Sequence, residues 1–233
     1  MEIQGATALV SGANRGLGRH IAEQLRNRGA TVYAGARNPT TAVDLDGVTS
    51  IQLDIADPAS VEAAAATAKG VSILVNNAGI GTAAALLNGD IDDIRREFDT
   101  NFFGTLAVTR AFAPRLGEHR ESYILNVLSV LSWLNLPWLG GYSASKSAEW
   151  ALTNGIRQEL AAQGTRVGGL HVGFMDTDLT AGIDQPKLDP ADIARIAVDG
   201  IAAGSVEILA DELSSTVRAG LAGGVAALYP DFA

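Results

Sequence analysis

Apolar residues follow two alternating patterns along the chain. Short runs rich in Val, Ile and Leu are typical of parallel strands that are covered on both faces. Between these runs, apolar residues recur every four positions, as at Leu17, Ile21 and Leu25 and again over positions 152–160, which predicts amphipathic helices. The predicted strands are Thr7–Val10, Thr31–Tyr33, Ser50–Leu53, Ser72–Val75, Tyr123–Val127 and Val167–Val172, with Val206–Leu209 as a candidate seventh.

The order of these elements predicts the fold class. Strand and helix alternate through most of the chain, which gives a parallel sheet joined by right-handed crossovers. We therefore expect an α/β fold of the Rossmann type, with one doubly wound parallel sheet, helices on both faces, and residues 1–233 in a single domain. Ligands of such sheets bind at the carboxyl ends of the strands, so the turn after the first strand is the first candidate site.

Composition narrows the classes of protein that remain. Hydrophobic residues make up 47% of the chain and charged residues 18%, which excludes a disordered protein. No apolar run approaches the roughly 18 residues that span a bilayer, and the amino terminus lacks a secretory pattern. We therefore expect no membrane association and a cytoplasmic location. The net charge of −9 argues against nucleic acid as a partner, because phosphate contacts require Lys and Arg.

Metal and thiol chemistry find little support in the sequence. The chain has no Cys, which removes disulfides, thiolate nucleophiles and Cys-ligated zinc. The three histidines, His20, His119 and His171, lack the spacing of metal ligands, and nothing in their positions indicates a catalytic triad. We therefore expect no metal site.

The turn after the first predicted strand contains three glycines. It reads SGANRGLG over positions 11–18, with Gly12, Gly16 and Gly18 at the start of a predicted helix. Glycines at this spacing let backbone N–H groups approach a pyrophosphate, with the positive end of the helix behind them. The same glycines would also suit a tight turn without a ligand. Their position between a strand and a helix favours a dinucleotide.

A tyrosine and a lysine form the second candidate site. Tyr142 and Lys146 are four residues apart, so on a helix they share one face and the ammonium lies beside the phenol. A phenol normally has a pKa near 10, and a neighbouring cation lowers that pKa towards the range where the group exchanges protons at neutral pH. The pair is a candidate for general acid–base catalysis.

Together these motifs resemble those of the short-chain dehydrogenase/reductase family. The resemblance rests on the glycine pattern of the first turn, on the sequence NNAG at positions 76–79, and on Tyr142 and Lys146, and it extends over about residues 7–177. Ser129 lies thirteen residues before Tyr142, at the end of an apolar strand, where that family carries a catalytic serine. Asn101 matches the fourth catalytic position of the family.

The resemblance implies a hydride transfer between NADP(H) and a carbonyl or alcohol substrate. Tyr142 would exchange a proton with the substrate oxygen, and Ser129 would stabilise the charge that develops on that oxygen. Lys146 would lower the pKa of Tyr142 and hold the nicotinamide ribose, while Asn101 would keep Lys146 in place through water. The implied cofactor contacts are Gly12, Asn14, Arg15, Gly16, Leu17, Gly18, Arg37, Asp54, Ile55, Asn77, Ala78, Gly79, Tyr142, Lys146, Gly173, Met175 and Thr177.

Two arginines favour NADP over NAD. Sites that prefer NAD carry an acidic residue near the end of the second strand, whereas this chain has Arg37 there. Arg37 and Arg15 would hold the adenine ribose phosphate by charge-assisted hydrogen bonds, although solvated surface arginines are the commoner case. Asp54 would meet the adenine amino group or act as a cap at the next helix. We favour the adenine contact.

The segment before Tyr142 is apolar and indicates an apolar substrate. Trp133, Leu134, Leu136, Trp138 and Leu139 would line a substrate pocket or belong to the ordinary core. The chain departs from the family pattern at Val172, where Pro is usual, and after position 210, which weakens any inference on substrate and assembly.

Three functional readings remain open. The complete tetrad favours an enzyme over a catalytically silent NADP-binding sensor or scaffold on the same fold. Epimerisation or dehydration of a nucleotide sugar is the third reading, and the chain is short for it. By resemblance, the helices around 100–116 and 143–160 would pair between subunits, giving a homodimer or a homotetramer.

Overall fold

The computed structural model of the chain describes residues 1–38 and 45–232, and its centre is one parallel β-sheet. The order of the described strands is β3-β2-β1-β4-β5-β6-β7, and every neighbouring pair is parallel. The order reverses between β1 and β4, which creates the crevice where ligands of doubly wound sheets bind. The strands are β1 (Thr7–Ser11), β2 (Thr31–Ala36), β3 (Val48–Gln52), β4 (Ile73–Asn76), β5 (Ser122–Val127), β6 (Thr165–His171) and β7 (Glu207–Leu209).

Helices cover both faces of the sheet, as the sequence predicts. They are α1 (Gly16–Asn27), α2 (Pro58–Thr67), α3 (Ile91–Phe98), α4 (Thr105–Leu116), α5 (Gly140–Glu159), α6 (Pro190–Ala203), α7 (Glu212–Gly220) and α8 (Gly224–Leu228). A π-helical segment, Asp99–Gly104, joins α3 to α4. Across the described ranges, no helix has both the length and the apolar character needed to cross a membrane.

Successive residues of each strand point to opposite faces and so build two separate cores. In β1, Val10 packs into the core that contains Ile21 of α1, together with residues of α6. Its neighbour Leu9 faces the other core, which includes Phe112 of α4 and Ile156 of α5. Burial on both faces explains why the strands read as nearly continuous apolar runs.

The predicted strands all form, with different ends. The largest difference is at β2, which continues to Ala36 although the sequence predicts an end at Tyr33. Gly35 lies in this extension and packs closely on Leu53, since a Cβ at this position would lie 2.8 Å from Leu53 Cδ2. The end of β2 consists of small residues, so a search for β-branched side chains does not detect it.

Candidate functional site

The glycine turn folds tightly against the end of β4. Gly12 and Gly16 have φ angles of 65° and 53°, a region that glycine adopts at little cost. A Cβ at Gly12 would lie 2.9 Å from Ala78 Cα, and one at Gly18 would collide with Asn77 Nδ2 and the Gly12 carbonyl. The turn therefore requires glycine to pack against residues 77–78, apart from any ligand.

Polar contacts join the turn to the segment after β4. Asn77 Nδ2 donates to the carbonyl oxygens of Ser11 (3.0 Å) and Gly12 (3.2 Å). The Ser11 hydroxyl in turn accepts from the backbone N–H groups of Asn77 and Ala78, each at 3.0 Å. Asn76 points elsewhere and donates to Asn126 Oδ1 at 2.9 Å, which ties β4 to β5. The turn and residues 77–79 thus form one wall of the crevice.

Asn101 connects this wall to α5. It lies in the π-helical segment, is fully buried, and accepts from Ile80 N–H at 2.9 Å while its Nδ2 donates to the Ile80 carbonyl and to Ser145 Oγ, both at 2.9 Å. A Cβ at Gly79 would lie 3.1 Å from Asn101 Oδ1 and 3.7 Å from Lys146 Nζ. The segment 77–80 therefore runs beside Asn101 and Lys146.

Tyr142 and Lys146 lie on the first turns of α5, with the Lys146 ammonium 5.9 Å from the centre of the Tyr142 ring. Lys146 Nζ donates to the Val127 carbonyl at 2.9 Å and to Glu149 Oε2 at 2.6 Å. Glu149 Oε1 accepts from the Thr105 hydroxyl at 3.4 Å. The lysine is therefore held by strand β5 on one side and by a buried carboxylate on the other.

Burial and charge oppose each other at Tyr142. Burial of the phenol raises its pKa, and the nearby Lys146 ammonium and a hydrogen bond with Ser129 lower it, while the carboxylates of Glu149 and Glu97 raise it further. The net direction is upwards, so burial outweighs the cation. The sequence-based expectation that Lys146 lowers the pKa of Tyr142 is correct for the effect of the lysine, but the net shift of that pKa has the opposite direction.

The coupled pair behind Tyr142 shows the same competition. Burial alone would lower the pKa of Lys146, but the Glu149 carboxylate beside it, with a smaller effect of Tyr142, raises that pKa above its usual value. Burial raises the pKa of Glu149, and the Lys146 ammonium and the Thr105 hydroxyl oppose this. The short contact between the two side chains is a charge-assisted hydrogen bond of an ion pair.

Ser129 lies at the end of β5 and is nearly buried. It begins the 3₁₀ turn Val130–Ser132, where its hydroxyl accepts from Leu131 N–H at 3.1 Å. Behind it, His171 Nδ1 lies 3.3 Å from the Ser129 carbonyl, and the imidazole stacks on Trp133 with ring centres 3.7 Å apart. Burial lowers the pKa of His171 to about 4, so this ring is neutral at neutral pH.

The loop after β6 closes the crevice opposite the glycine turn. Thr177 packs beside Gly16, since a Cβ there would lie 3.4 Å from Thr177 Cγ2. The Gly173 N–H donates to Asp211 Oδ2 at 2.8 Å, and Met175 pairs with Leu188 in an isolated parallel bridge. Of these three predicted cofactor residues, Thr177 directly contacts the glycine turn, and Gly173 and Met175 belong to the same loop.

The charged residues predicted to bind the adenosine end of the cofactor are more exposed than the Tyr142–Lys146 site. Arg15 is exposed and donates to Asp178 Oδ2 at 2.6 Å, and both side chains are about two-thirds exposed or more. Arg37 is exposed directly after β2. Asp54 Oδ1 accepts from Ala56 N–H at 3.1 Å and so caps a turn, while the cap of α2 is Asp57.

Three further residues predicted to contact the cofactor differ in their exposure. Leu17 is buried in the core behind the turn, and Ile55 is buried against Gly104. Asn14 is partly exposed within the turn. Among residues 1–38 and 45–232, no cluster of three or more His, Asp or Glu side chains is arranged to hold a metal ion.

An apolar cluster, which we call the apolar wall, lies beside Tyr142. Its buried members are Val130, Leu131, Trp133, Leu139 and Val217, and Leu134, Leu136, Tyr142, Trp150, Phe174, Leu209, Leu221 and Leu228 pack against them. Trp138 is outside it and 42% exposed. The carboxyl-terminal segment closes this wall, because Tyr229 Oη accepts from Asn135 N–H at 2.7 Å.

Four site residues escape sequence reasoning. Glu149 and Glu97 read as ordinary helix acids, yet both are buried within α5 and α3. His171 is an isolated histidine in the sequence, and nothing there singles out Asp211, which caps α7 and also holds Gly173. The spacing of Glu149 from Lys146, three positions along one helix face, is the only local signal among them.

Fold and site together define a class of protein. A doubly wound sheet carries a glycine turn at its switch point, and beside it lie the partly buried Tyr142 and the buried Lys146, which is the arrangement of a dinucleotide-dependent enzyme. The model of the short chain dehydrogenase family matches residues 6–188. The chain belongs to this family, and it is an oxidoreductase of the NAD(P)(H)-binding type.

Individual relatives agree with this assignment. An uncharacterized oxidoreductase of Staphylococcus saprophyticus is 30% identical over 214 residues, 85% of this chain and 92% of the relative. A short chain dehydrogenase from Burkholderia cenocepacia, solved in complex with NADP, is 35% identical with a TM-score of 0.94 and covers 99% of this chain and 98% of its own. A relative from Burkholderia phymatum, solved with NAD, is 25% identical with a TM-score of 0.84 over 95% of both chains.

The B. cenocepacia structure bears on the carboxyl terminus. Its match extends over 99% of this chain, so the segment after position 210, which departs from the general family pattern, is largely shared with that protein. The arrangement of α7 and α8 over the apolar wall is therefore not peculiar to this chain.

Proposed function

We propose that the protein is an NADP(H)-dependent oxidoreductase that transfers a hydride between the nicotinamide and a ketone, an aldehyde or a secondary alcohol. The observation that carries the proposal is the meeting of Asn101, Ser129, Tyr142 and Lys146 beside residues 77–80, at the carboxyl ends of the strands. A phosphate-binding turn and a proton-exchanging phenol then serve one crevice. A catalytically silent sensor would have no need for the proton-exchanging phenol.

The residues of the chain fit the cofactor. The glycine turn has no side chain where a pyrophosphate would approach, and α1 begins behind it. Asn77, Ala78 and Gly79 would follow the nicotinamide riboside towards Lys146, and Thr177 and Met175 would cover it from the loop after β6. The cofactor supplies or accepts the hydride; the protein supplies position and electrostatics.

The protein side of the reaction centres on Tyr142. In reduction its phenol donates a proton to the carbonyl oxygen, and in oxidation its phenolate accepts one from the alcohol. Ser129 donates a hydrogen bond to the same oxygen and stabilises its negative charge. Lys146 retains an N–H for the ribose beyond its bonds to Val127 and Glu149. Asn101 holds the segment that carries Ile80 and so fixes the distance between cofactor and lysine.

The preference for NADP rests on Arg37 and Arg15. Arg37 stands at the end of β2, where an acid would repel a ribose phosphate, and the B. cenocepacia relative in complex with NADP supports the choice. Arg15 would have to exchange Asp178 for the phosphate. Exposed ion pairs contribute about 0–1 kcal/mol, so this exchange costs little.

The substrate is apolar near its carbonyl group. Tyr142 packs against the apolar wall, whose partly exposed members Leu134, Leu136 and Phe174 offer no charged group to a substrate. Small ketones and aldehydes with aliphatic or aromatic substituents fit this surface better than phosphorylated or sugar substrates.

A cofactor-dependent substrate screen tests the proposed function. Ketones and aldehydes of graded size and polarity are mixed with the protein and either NADPH or NADH, and the absorbance of the reduced cofactor is followed. We expect turnover of apolar carbonyls with NADPH first. Binding of NADPH with no turnover of any carbonyl or alcohol would favour a sensor instead.

We also propose a homodimer or a homotetramer. The helices α4 and α5 lie side by side, with Leu106, Arg110 and Ile156 lining a groove between them, and Phe103 just before α4 is 55% exposed. Symmetric pairing of this face would bury the apolar side chains that are still accessible there, Phe103 and Leu106. Sedimentation at micromolar concentration tests it, and a single species of 24.1 kDa would refute it.

A further inference from the structure

We propose that Glu149 is a positioning residue that, through its buried ion pair with Lys146, keeps Tyr142 protonated at neutral pH and so sets the pH ranges over which carbonyl reduction and alcohol oxidation proceed. This inference rests on the proposed function, since it concerns the same phenol. It adds a residue that does not touch the substrate and that sets the pH range in which each direction of the reaction proceeds.

The geometry makes the pair a fixed part of the site. Glu149 Oε2 lies 2.6 Å from Lys146 Nζ, and the two side chains are 1% and 6% exposed. The Thr105 hydroxyl of α4 contacts the second carboxylate oxygen, so the carboxylate is held between two helices. With Val127 and Glu149 each taking one of the three ammonium donors, Lys146 cannot turn away without leaving buried polar groups unpaired.

The charges around Tyr142 explain the effect on its proton. An unpaired ammonium would stabilise the phenolate, whereas the paired Lys146 and Glu149 sum to zero charge. From α3, Glu97 adds a second carboxyl, which accepts from Thr82 N–H at 2.7 Å, and from β5 the neutral Ser129 hydroxyl contributes only a hydrogen bond. His171 of β6 is neutral at neutral pH. No uncompensated cation among the described residues of the site favours the phenolate.

The two directions of the reaction need opposite forms of this phenol. In reduction, hydride adds to the carbonyl carbon while the oxygen takes the Tyr142 proton; the phenolate then regains a proton from water. In oxidation, the alcohol proton passes to a phenolate that must exist beforehand, and hydride leaves to the oxidised nicotinamide. A carboxylate that raises the pKa of Tyr142 therefore moves the alkaline limb of reduction and the acid limb of oxidation to higher pH together.

The variant Glu149→Gln removes the charge and keeps the shape. In plots of rate against pH, we expect the acid limb of oxidation and the alkaline limb of reduction both to move to lower pH by at least about one unit. At a pH on the acid limb of oxidation, this shift raises the oxidation rate about tenfold. Glu62→Gln changes an exposed acid on α2; it is the matched control and should leave both limbs in place. Glu149→Asp keeps the charge and should lie closer to wild type than Glu149→Gln.

A titration of the cofactor-free protein tests Glu149 without any substrate. The chain has four tyrosines, and the difference in tyrosinate absorbance between Glu149→Gln and Glu149→Gln/Tyr142→Phe isolates Tyr142. Its midpoint should fall below the corresponding wild-type midpoint by at least about one pH unit. If Glu149→Gln does not fold, Glu149→Met fills a similar volume without charge and carries the same expectation.

The outcomes separate this inference from the proposed function. Unchanged limbs and an unchanged Tyr142 midpoint in Glu149→Gln would overturn the role of Glu149, as would an equal loss of rate at every pH. A wild-type protein that turns over no carbonyl would overturn the proposed function, while the absorbance titration would still decide whether Glu149 controls the proton of Tyr142.

Discussion

Acidification should destabilise the protein through one buried histidine. His171 is 1% exposed, stacked on Trp133, and its pKa is lowered to about 4, chiefly by burial and in smaller part by the charges of Arg218, Arg157 and Lys146. An unfolded chain returns His171 to a pKa of about 6.5. Between these two values the unfolded state binds the proton and the folded state does not, so stability falls as the pH falls.

The size of the effect follows from the two pKa values. The full difference of about 2.5 units corresponds to about 3 kcal/mol, reached below a pH of about 4. Near pH 5 the loss relative to pH 8 is about 2 kcal/mol. For a chain of this length that loss lowers Tm by roughly 4–8 °C.

Thermal unfolding of matched variants measures this loss. His171→Asn removes the titrating ring and should show a smaller drop in Tm between about pH 8 and pH 5 than wild type, although its Tm near pH 8 is lower because the stacking on Trp133 is lost. His20→Asn, on the partly exposed face of α1, is the control and should keep the wild-type drop. Parallel curves for wild type and His171→Asn would refute the reasoning.

Two further predictions concern the cofactor. Gly18→Ala places a Cβ against Asn77 and should weaken NADPH binding at least about tenfold. Gly155→Ala is the control, because a Cβ there meets nothing within 4 Å, and it should leave NADPH binding unchanged. Equal NADPH affinities of the two variants in fluorescence titrations would contradict the packing argument. Arg37→Ala should weaken NADPH about 10–100-fold and leave NADH unchanged, because only the phosphate loses a charge-assisted bond. Arg120→Ala is its exposed control, and a loss for both cofactors would reopen the choice between NADP and NAD.

The sequence predicts those parts of the molecule whose causes are local. Strand β4 and helix α1 appear in the apolar pattern because burial on both faces of a strand, or one face of a helix, repeats at a fixed spacing. The glycines of the turn are readable for the same reason, since a positive φ and a close approach leave glycine as the suitable residue.

What the sequence hides depends on contacts between distant elements. Glu149 looks like a surface acid until α4 and β5 enclose Lys146, and Asp211 gains its second role only when β6 ends beside α7. The π-helical segment that carries Asn101 leaves no mark in a pattern that reads as helix on both sides. The sequence leaves two roles open for Asp54, a cap or an adenine contact. In the structure Asp54 caps a turn through Ala56 N–H, and the adenine contact stays a proposal.

The most direct test of the account is the rate of Tyr142→Phe on a carbonyl that the wild type reduces with NADPH. The variant keeps the ring and loses the proton, so kcat should fall by about 10²–10⁴, the range for loss of acid–base catalysis, while NADPH binding, measured by fluorescence, should survive. A variant that binds NADPH and reduces the same substrate at a rate near that of the wild type would contradict the assignment of Tyr142 as the proton donor.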